Sequence, residues 1–380
     1  LSGTPTLPFL RTAAVIPEFY MKVYRRVLSL GALLALVAPM TPRELAAQSL
    51  EGVLSAIEYR EIGPTRQSGR FVDIAVPRQQ PHTFYIATAS GHLWKTTNRG
   101  ISFDVLFDQE DVFSIGAIAV APSDPDVLYL GSGEANNSRS SYWGDGVYKS
   151  TDAGETWTNI GLPESHHIGR IVVHPTNSDI VYVAALGHLY SENDERGLYK
   201  TTNGGDSWQR VLGPQVEGRR IGIVDLVMDP TNSDVLYAAS YDKVRVPYSF
   251  DLGGPGSRLY KTSDGGANWI QIGQGLPEGM LGRIGVDVYE RDPNVLYVTI
   301  ENANKADMSD EDRRQELLEH ESSRGMIGGE IYRSNDGGIT WDRASPEGES
   351  IGGGPAYYYG QIIIDPNDSD VVHVMSARSW

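Results

Sequence analysis

One nine-residue phrase recurs along the chain and constrains it more than anything else: "KSTDAGETW" from Lys149, "KTTNGGDSW" from Lys200, "KTSDGGANW" from Lys261 and "RSNDGGITW" from Arg333. A worn copy, "KTTNRGISF", begins at Lys95. A repeat of this period signals a chain built from one supersecondary unit used several times. Around each copy the same order of runs returns. An apolar run ("RFVDIAV", "IGAIAVAP", "GRIVVHP", "IVDLVMDP", "RIGVDVY", "GQIIIDP") is followed by a polar turn and a second run ("TFYIAT", "VLYLGS", "IVYVAA", "VLYAAS", "VLYVTI", "VVHVMS"). A third run ("HLWKT", "GVYKS", "GLYKT", "RLYKT", "EIYRS") enters the repeated phrase, and a fourth starts at its aromatic residue. Every run is short, rich in β-branched and aromatic residues, and bounded by Gly, Pro, Asn or Asp. The pattern predicts an all-β chain: a β-propeller of four-stranded antiparallel blades, five complete and part of a sixth, forming an incomplete ring.

The phrase itself joins strands three and four of a blade. Gly154, Gly205, Gly266 and Gly338 supply the backbone freedom that a tight hairpin needs. Asp152, Asn203, Asp264 and Asp336, with Asn98 in the worn copy, accept hydrogen bonds from the turn's free N–H groups. Trp157, Trp208, Trp269 and Trp341 pack beneath the turn and are expected to pin the hairpin to its own blade. Two of the five copies carry Asn, which accepts a hydrogen bond but is neither an acid catalyst nor a strong calcium ligand. The phrase therefore reads as a fold device rather than a cation loop or a catalytic acid.

These residues resemble the Asp-box (BNR) repeat, S/T-x-D-x-G-x-T/S-W. Proteins with that repeat include sialidases, xyloglucanase-type endoglucanases, photosystem assembly factors and the sortilin ectodomain. The strand order and the "D-P-x-x-x-x-V-L-Y" phrase most resemble bacterial exported proteins described as sortilin-like or BNR-repeat glycosyl hydrolases. The resemblance implies a propeller fold over residues 49–380 and says little about chemistry. It implies a binding module presenting loops to a protein, peptide or glycan ligand. The alternatives are a glycoside hydrolase acting on extracellular polysaccharide, or an assembly factor for a membrane complex. The "RIP" signature of sialidases is missing, the nearest stretch being "YREIGP" (59–64). Ala89 and Ser90 stand where a xyloglucanase-type acid is expected.

Ahead of the repeats, Met21 opens a basic start (Lys22, Arg25, Arg26) and an apolar run from Val27 to Val37. This reads as a secretory signal over residues 21–48, with residues 1–20 as upstream translation. The expected location is exported: periplasmic, cell-surface or secreted, without stable membrane insertion after signal removal. A formal net charge of -17 at pH 7 argues against a nucleic-acid partner. With no Cys in the chain, stability has to come from packing and strand pairing. "YREIGP" reads as a fourth strand donated to the last blade.

The large insertions (133–145, 186–197, 241–257 and 301–329) all separate a second from a third strand. They therefore share one face with the crossings between blades, and the last is expected to hold a short helix from Ser309 to His320. That face is where a ligand is expected. Its candidates are Arg70, Arg170, Arg220 and Arg283, which recur at the entry to a first strand and either ring the channel mouth or pair with Asp73, Asp225 and Asp287. His92, His166, His167 and His188 accompany them, together with the aromatic residues Tyr142, Trp143, Tyr190, Tyr248, Phe250, Tyr357, Tyr358 and Tyr359. Glu134 and Asp145 are the weak candidate acids, with Asp194, Glu301 and Asp307 further possibilities, and nothing singles out a pair. No ligand-type spacing marks a metal site, so neither metal nor cofactor is expected.

Overall fold

The computed structural model describes residues 69–136, 141–306, 326–351 and 357–375. The expected signal segment, "YREIGP", the expected helix over 309–320 and Asp307 lie outside them. Blade one consists of β1 (Phe71–Ala75), β2 (Phe84–Thr88), β3 (Leu93–Thr96) and β4 (Asp104–Leu106). Blade two follows as β5 (Ile115–Ala121), β6 (Asp124–Ser132), β7 (Val147–Ser150) and β8 (Thr158–Asn159). Blade three, after a 3-10 turn at Pro163–Ser165, is β9 (Ile168–Val173), β10 (Val181–Ala185), β11 (Gly197–Thr201) and β12 (Gln209–Leu212). A small hairpin of β13 (Gln215–Val216) and β14 (Arg219–Arg220) leads into blade four: β15 (Gly222–Met228), β16 (Leu236–Tyr241), β19 (Leu259–Thr262) and β20 (Ile270–Ile272). Its insertion forms a second hairpin, β17 (Val244–Val246) with β18 (Ser249–Asp251). Blade five is β21 (Leu281–Val288), β22 (Leu296–Lys305), β23 (Met326–Ser334) and β24 (Asp342–Arg343), and blade six holds β25 (Gln361–Asp365) and β26 (Asp368–Met375). All pairings within the blades are antiparallel between successive strands, and the five complete blades are four-stranded sheets. The structure thus shows five full blades and part of a sixth, as the repeats predict.

The hydrophobic core is divided into layers between neighbouring blades. Tyr85, Leu93 and Leu106 of blade one meet Ile118, Leu128 and Leu130 of blade two. Val183 and Ile171 of blade three face Tyr129 and Val147 of blade two. Equivalent layers join blades three and four, four and five, and five and six. Alternation along each first strand sends one set of side chains to each neighbour. The other set on β1 and on blade six (Phe71, Ile74, Ile363, Met375) is exposed, with Phe71 at 70%.

First strands come close enough near the axis that a side chain would collide. A Cβ on Gly169 of β9 would sit 2.2 Å from the Val224 carbonyl oxygen of β15. The channel between the first strands has a volume of about 650 Å³ and is lined in part by Asp73, Arg170 and Asp287. Here aspartates lace one first strand to the next. Asp73 Oδ2 accepts the Ile118 N–H at 3.0 Å, Asp225 Oδ2 the Val286 N–H at 3.1 Å, and Asp287 Oδ2 the Ile364 N–H at 2.8 Å. Burial pushes the Asp287 carboxyl up to about 6.

In each repeated turn the acid or amide is consumed locally. Asp152 Oδ1 accepts the Thr156 N–H at 2.9 Å and the Ser150 hydroxyl at 2.7 Å, and Oδ2 accepts the Thr156 hydroxyl at 2.6 Å. Asp264 and Asp336 repeat the pattern, while Asn203 and Asn98 do the same and donate through Nδ2 to Ser207 and Ser102. The turn needs two successive residues at positive φ. Gly265 and Gly266 adopt 64° and 89°, while Ala153 takes 59° ahead of Gly154 at 93°.

The turn's main partner is the preceding blade, which corrects the expectation that its tryptophan pins the hairpin to its own sheet. Trp157 packs edge-on against Phe107 of blade one at 5.5 Å, and Trp208 Nε1 donates to the Ile160 carbonyl of blade two at 2.8 Å. The carbonyl of the residue that follows the turn's acid takes two donors from the blade before it. Gly265 O accepts from Tyr182 Oη at 2.8 Å and Lys200 Nζ at 2.7 Å, and Gly337 O accepts from Tyr237 Oη and Lys261 Nζ at the same distances. Ala153 O accepts Tyr85 and Lys95, each at 3.0 Å. Between blades two and three the acceptors move to the first turn, Ser178 O and Asp179. Each lysine also lies over the ring of its tyrosine, which adds roughly 0.5–1 kcal/mol per pair.

Hydrogen bonds from the following hydroxyl or amide hold Asp152, Asp264 and Asp336 down at about 2. A depressed folded pKa gives stability that is present above the unfolded value and lost as pH falls through the folded one. Thermal melts between about pH 4 and pH 2 should therefore show a falling midpoint. The fall should be shallower in a triple Asp152→Asn, Asp264→Asn, Asp336→Asn variant, since Asn98 and Asn203 show that the amide fits the turn.

Candidate functional site on the insertion face

Blade two's insertion is folded back on its own sheet. Ser132 Oγ accepts the N–H groups of Asp145 and Gly146 at 2.9 and 3.0 Å, and the Gly144 N–H donates to the His166 carbonyl at 2.8 Å. Glu134 is thereby carried to the axis and fully buried. Arg70 grips it through two bonds, with Nε at 3.1 Å from Oε1, and the guanidinium lies 5.2 Å from the Tyr358 ring. Burial raises the Glu134 carboxyl and Arg70 opposes the shift. Asp145 accepts the Tyr148 hydroxyl at 2.8 and 2.9 Å and the Ser132 hydroxyl at 3.3 Å. Both acids nominated from the sequence thus have partners within the protein.

The four arginines do not gather at one mouth. Arg70 serves Glu134. Arg170 lies in the channel, 2.9 Å from Asp225 and 3.9 Å from Asp73, and the two acids raise its pKa. Arg220 reaches the exposed Asp194 at 3.0 Å. Arg283 is buried and donates to Asn136 Oδ1 at 2.5 Å and to the Tyr357 carbonyl at 3.3 Å. Pairing with an aspartate of a neighbouring first strand holds for Arg170 with Asp225, while Asp73 lies one blade further off on β1. Asp287 instead accepts backbone N–H groups.

Beside Arg283 the structure buries a second cation. Lys243, at the start of blade four's insertion, is 8% exposed, and its Nζ has no hydrogen-bond partner among the described residues. Burial, with Arg283, Arg196 and Arg245 nearby, pushes its ammonium well below the ordinary range. The neighbouring Asp242 is neutralised by Arg219 at 2.6 Å. His167 is buried, with Nδ1 2.8 Å from the Glu134 carbonyl; burial, with Lys243 adding to it, lowers its pKa to about 3. Lys243 and Arg196 were not singled out by sequence reasoning, because the long insertion carries no repeat against which to read them.

Exposed aromatic residues run along the rim over blades one to three. His92, held at φ 64° with Nδ1 3.1 Å from the Phe107 carbonyl, meets Phe113 edge-on at 6.3 Å. Phe113 in turn meets Tyr142 at 4.9 Å. Trp143, 67% exposed, lies parallel to His166 at 6.3 Å, and His166 stacks on His188 at 3.7 Å. Further round, Phe250 meets Tyr357 at 4.8 Å, and Tyr358 meets Tyr359 at 5.2 Å. Tyr190 and Tyr248 are exposed.

Comparison with known proteins matches residues 145–322 to the Sortilin-Vps10 family, described as sortilin, neurotensin receptor 3. A xyloglucanase from Paenibacillus sp. is 25% identical over 286 residues, covering 70% of this chain and 24% of the relative. Xyloglucanase Xgh74A from Acetivibrio thermocellus is 22% identical over 307 residues, covering 72% and 31%. The crystal structure of the Niastella koreensis GH74 enzyme superposes with a TM-score of 0.57 at 20% identity, over 80% of this chain and 44% of that one. The chain is a β-propeller, similar in fold to the GH74 enzyme and in sequence to the xyloglucanases, with the Sortilin-Vps10 match confined to residues 145–322. It spans about a quarter to a third of the length of these two curated relatives. No helix among the described residues is long and apolar enough to cross a membrane.

A buried lysine with a depressed pKa costs stability at every pH where the unfolded chain is protonated. Lys243→Met should therefore raise the thermal midpoint at pH 7 by a few degrees, about 1–3 kcal/mol. The gain should shrink as pH climbs towards the unfolded value near 10.5. Calorimetric melts of both forms across that range measure it.

Proposed function

We propose that the insertion face is a ligand-binding surface for a glycan, with the exposed aromatic rim as its contact surface. The observation that carries this reading is the run Phe113, Tyr142 and Trp143, flanked by His166 and seated on loops tied to rigid blades. Flat, exposed rings beside polar groups suit stacking on a sugar ring, because they bury apolar C–H faces while leaving hydroxyls solvated. The relatives named as xyloglucanases make xyloglucan the first ligand to try.

The reading is one of binding rather than cleavage. Hydrolysis of a glycosidic bond needs two carboxyl groups facing one another across a cleft, and Glu134 and Asp145 are committed to Arg70, Tyr148 and Ser132. The hydrolase alternative draws on the comparisons alone, and the peptide alternative on the match to sortilin.

Affinity electrophoresis of the purified protein against xyloglucan and other soluble polysaccharides, with reducing ends assayed in parallel, tests the proposal. Retention by a glycan, about tenfold weaker in Trp143→Ala and in Tyr142→Ala, with no reducing ends released, is the expected result. Retention indifferent to both substitutions, or no retention by any glycan, contradicts it. Steady release of reducing ends moves the protein to the hydrolase reading.

A further inference from the structure

We propose that Glu164, His166 and His188 form a binding site for a divalent transition-metal ion of the zinc type. The three side chains come from two loops, the crossing between blades two and three and the insertion of blade three. One donor atom from each lies within 4.8 Å of the others. Two imidazoles and a carboxylate, with a fourth position open to solvent, make a common zinc donor set. Nitrogen donors favour zinc, copper or nickel over calcium or magnesium.

His188 is already arranged as a ligand. Its Nε2 lies 3.0 Å from Glu164 Oε2. Bonds of about 2.0 Å in a tetrahedral site place two ligand atoms about 3.3 Å apart. An ion can therefore take the place of the proton these groups share with little movement of either. On the other side of the ring, Nδ1 lies 2.8 Å from Ser191 Oγ. Such an acceptor for the second N–H fixes the tautomer and aims Nε2 at the ion. His166 stacks on His188 with ring centroids 3.7 Å apart and planes 23° from parallel. Ligation turns it out of the stack until its lone pair points at the same ion.

The backbone under the site is built to hold both loops together. Asn193 accepts the His188 N–H at 2.9 Å and donates to the Glu164 carbonyl at 2.7 Å. Arg196 donates to the carbonyls of His188 and Ser191, each at 2.8 Å. Glu195 accepts the Glu164 N–H at 2.8 Å and adds a negative charge beside the site. The ligands are thus positioned by a supporting shell rather than by chance proximity of mobile side chains. Trp143 lies 6.3 Å from the His166 ring, near enough for its fluorescence to report a change at that imidazole.

The test uses the purified chain freed of metal with a chelator. Zinc is titrated calorimetrically, with cobalt as a spectroscopic probe and calcium and magnesium as controls. One equivalent of zinc, tetrahedral cobalt absorption and a change in Trp143 fluorescence that disappears in Trp143→Phe are expected. His166→Ala and His188→Ala should each weaken zinc binding by at least about tenfold. Glu164→Gln, at an exposed position, should weaken it without touching the fold. Absence of stoichiometric zinc uptake overturns the proposal, as does uptake that is unchanged in a His166→Ala/His188→Ala variant whose circular dichroism and melting match the parent.

Discussion

A single backbone carbonyl, presented by a left-handed turn to the blade before it, recurs as the joint of this molecule. At Gly265 and Gly337 it receives a buried tyrosine hydroxyl and a lysine ammonium at 2.7–2.8 Å. The net worth of each such bond is modest, on the order of 1 kcal/mol, and somewhat more where the donor is charged. Its geometric effect is larger, because it fixes the distance and tilt between sheets whose apolar faces must interdigitate. The turn's aspartate or asparagine spends its acceptor capacity on the turn and keeps that carbonyl aimed outward. This explains why aspartate and asparagine are interchangeable at the position, and why it has no chemical part to play.

That division leaves the two faces of the propeller with different freedoms. On the box face the turns at Ala153, Gly265 and Gly337 are tied to the blade before them, and on the axis the aspartates Asp73, Asp225 and Asp287 tie first strand to first strand. The opposite face carries the long insertions. Those of blades two and four are anchored at their base, blade two's by Ser132 and blade four's by Asp242 and Ser257, and so leave the layers below undisturbed. The aromatic rim and the histidine pair sit on this tolerant side. On this side the buried Glu134 carboxylate, gripped by Arg70, and the buried Lys243 ammonium, over the Tyr241 ring, give up stability.

The blades were legible because their signal is periodic and local. Val-Leu-Tyr runs, bounding Gly and Pro, and the fixed offset from hydroxyl to tryptophan depend only on neighbours in sequence. What each tryptophan touches was not legible, because the contact is made with the preceding repeat, as Trp157 shows on Phe107. The arginines diverge for a related reason. Arg170 occupies the register that Asp73 and Asp225 occupy in their blades, opposite Ala184, Ala87 and Ala239, so it turns into the channel. Arg283 enters its strand within a stretch of shifted register between Leu281 and Ile284. Glu164, His166 and His188 carried no spacing signal at all, since two separate loops bring them together.

A double-mutant cycle between Tyr182→Phe and Asp264→Ala, read by denaturant unfolding, tests the central claim most directly. The two residues belong to different blades and meet only through the Gly265 turn. If that turn is an inter-blade joint, the two losses couple by at least about 0.5 kcal/mol, while binding at the insertion face is unaffected. Losses that add independently, or an Asp264→Ala variant that keeps its stability and loses ligand binding, would contradict the account.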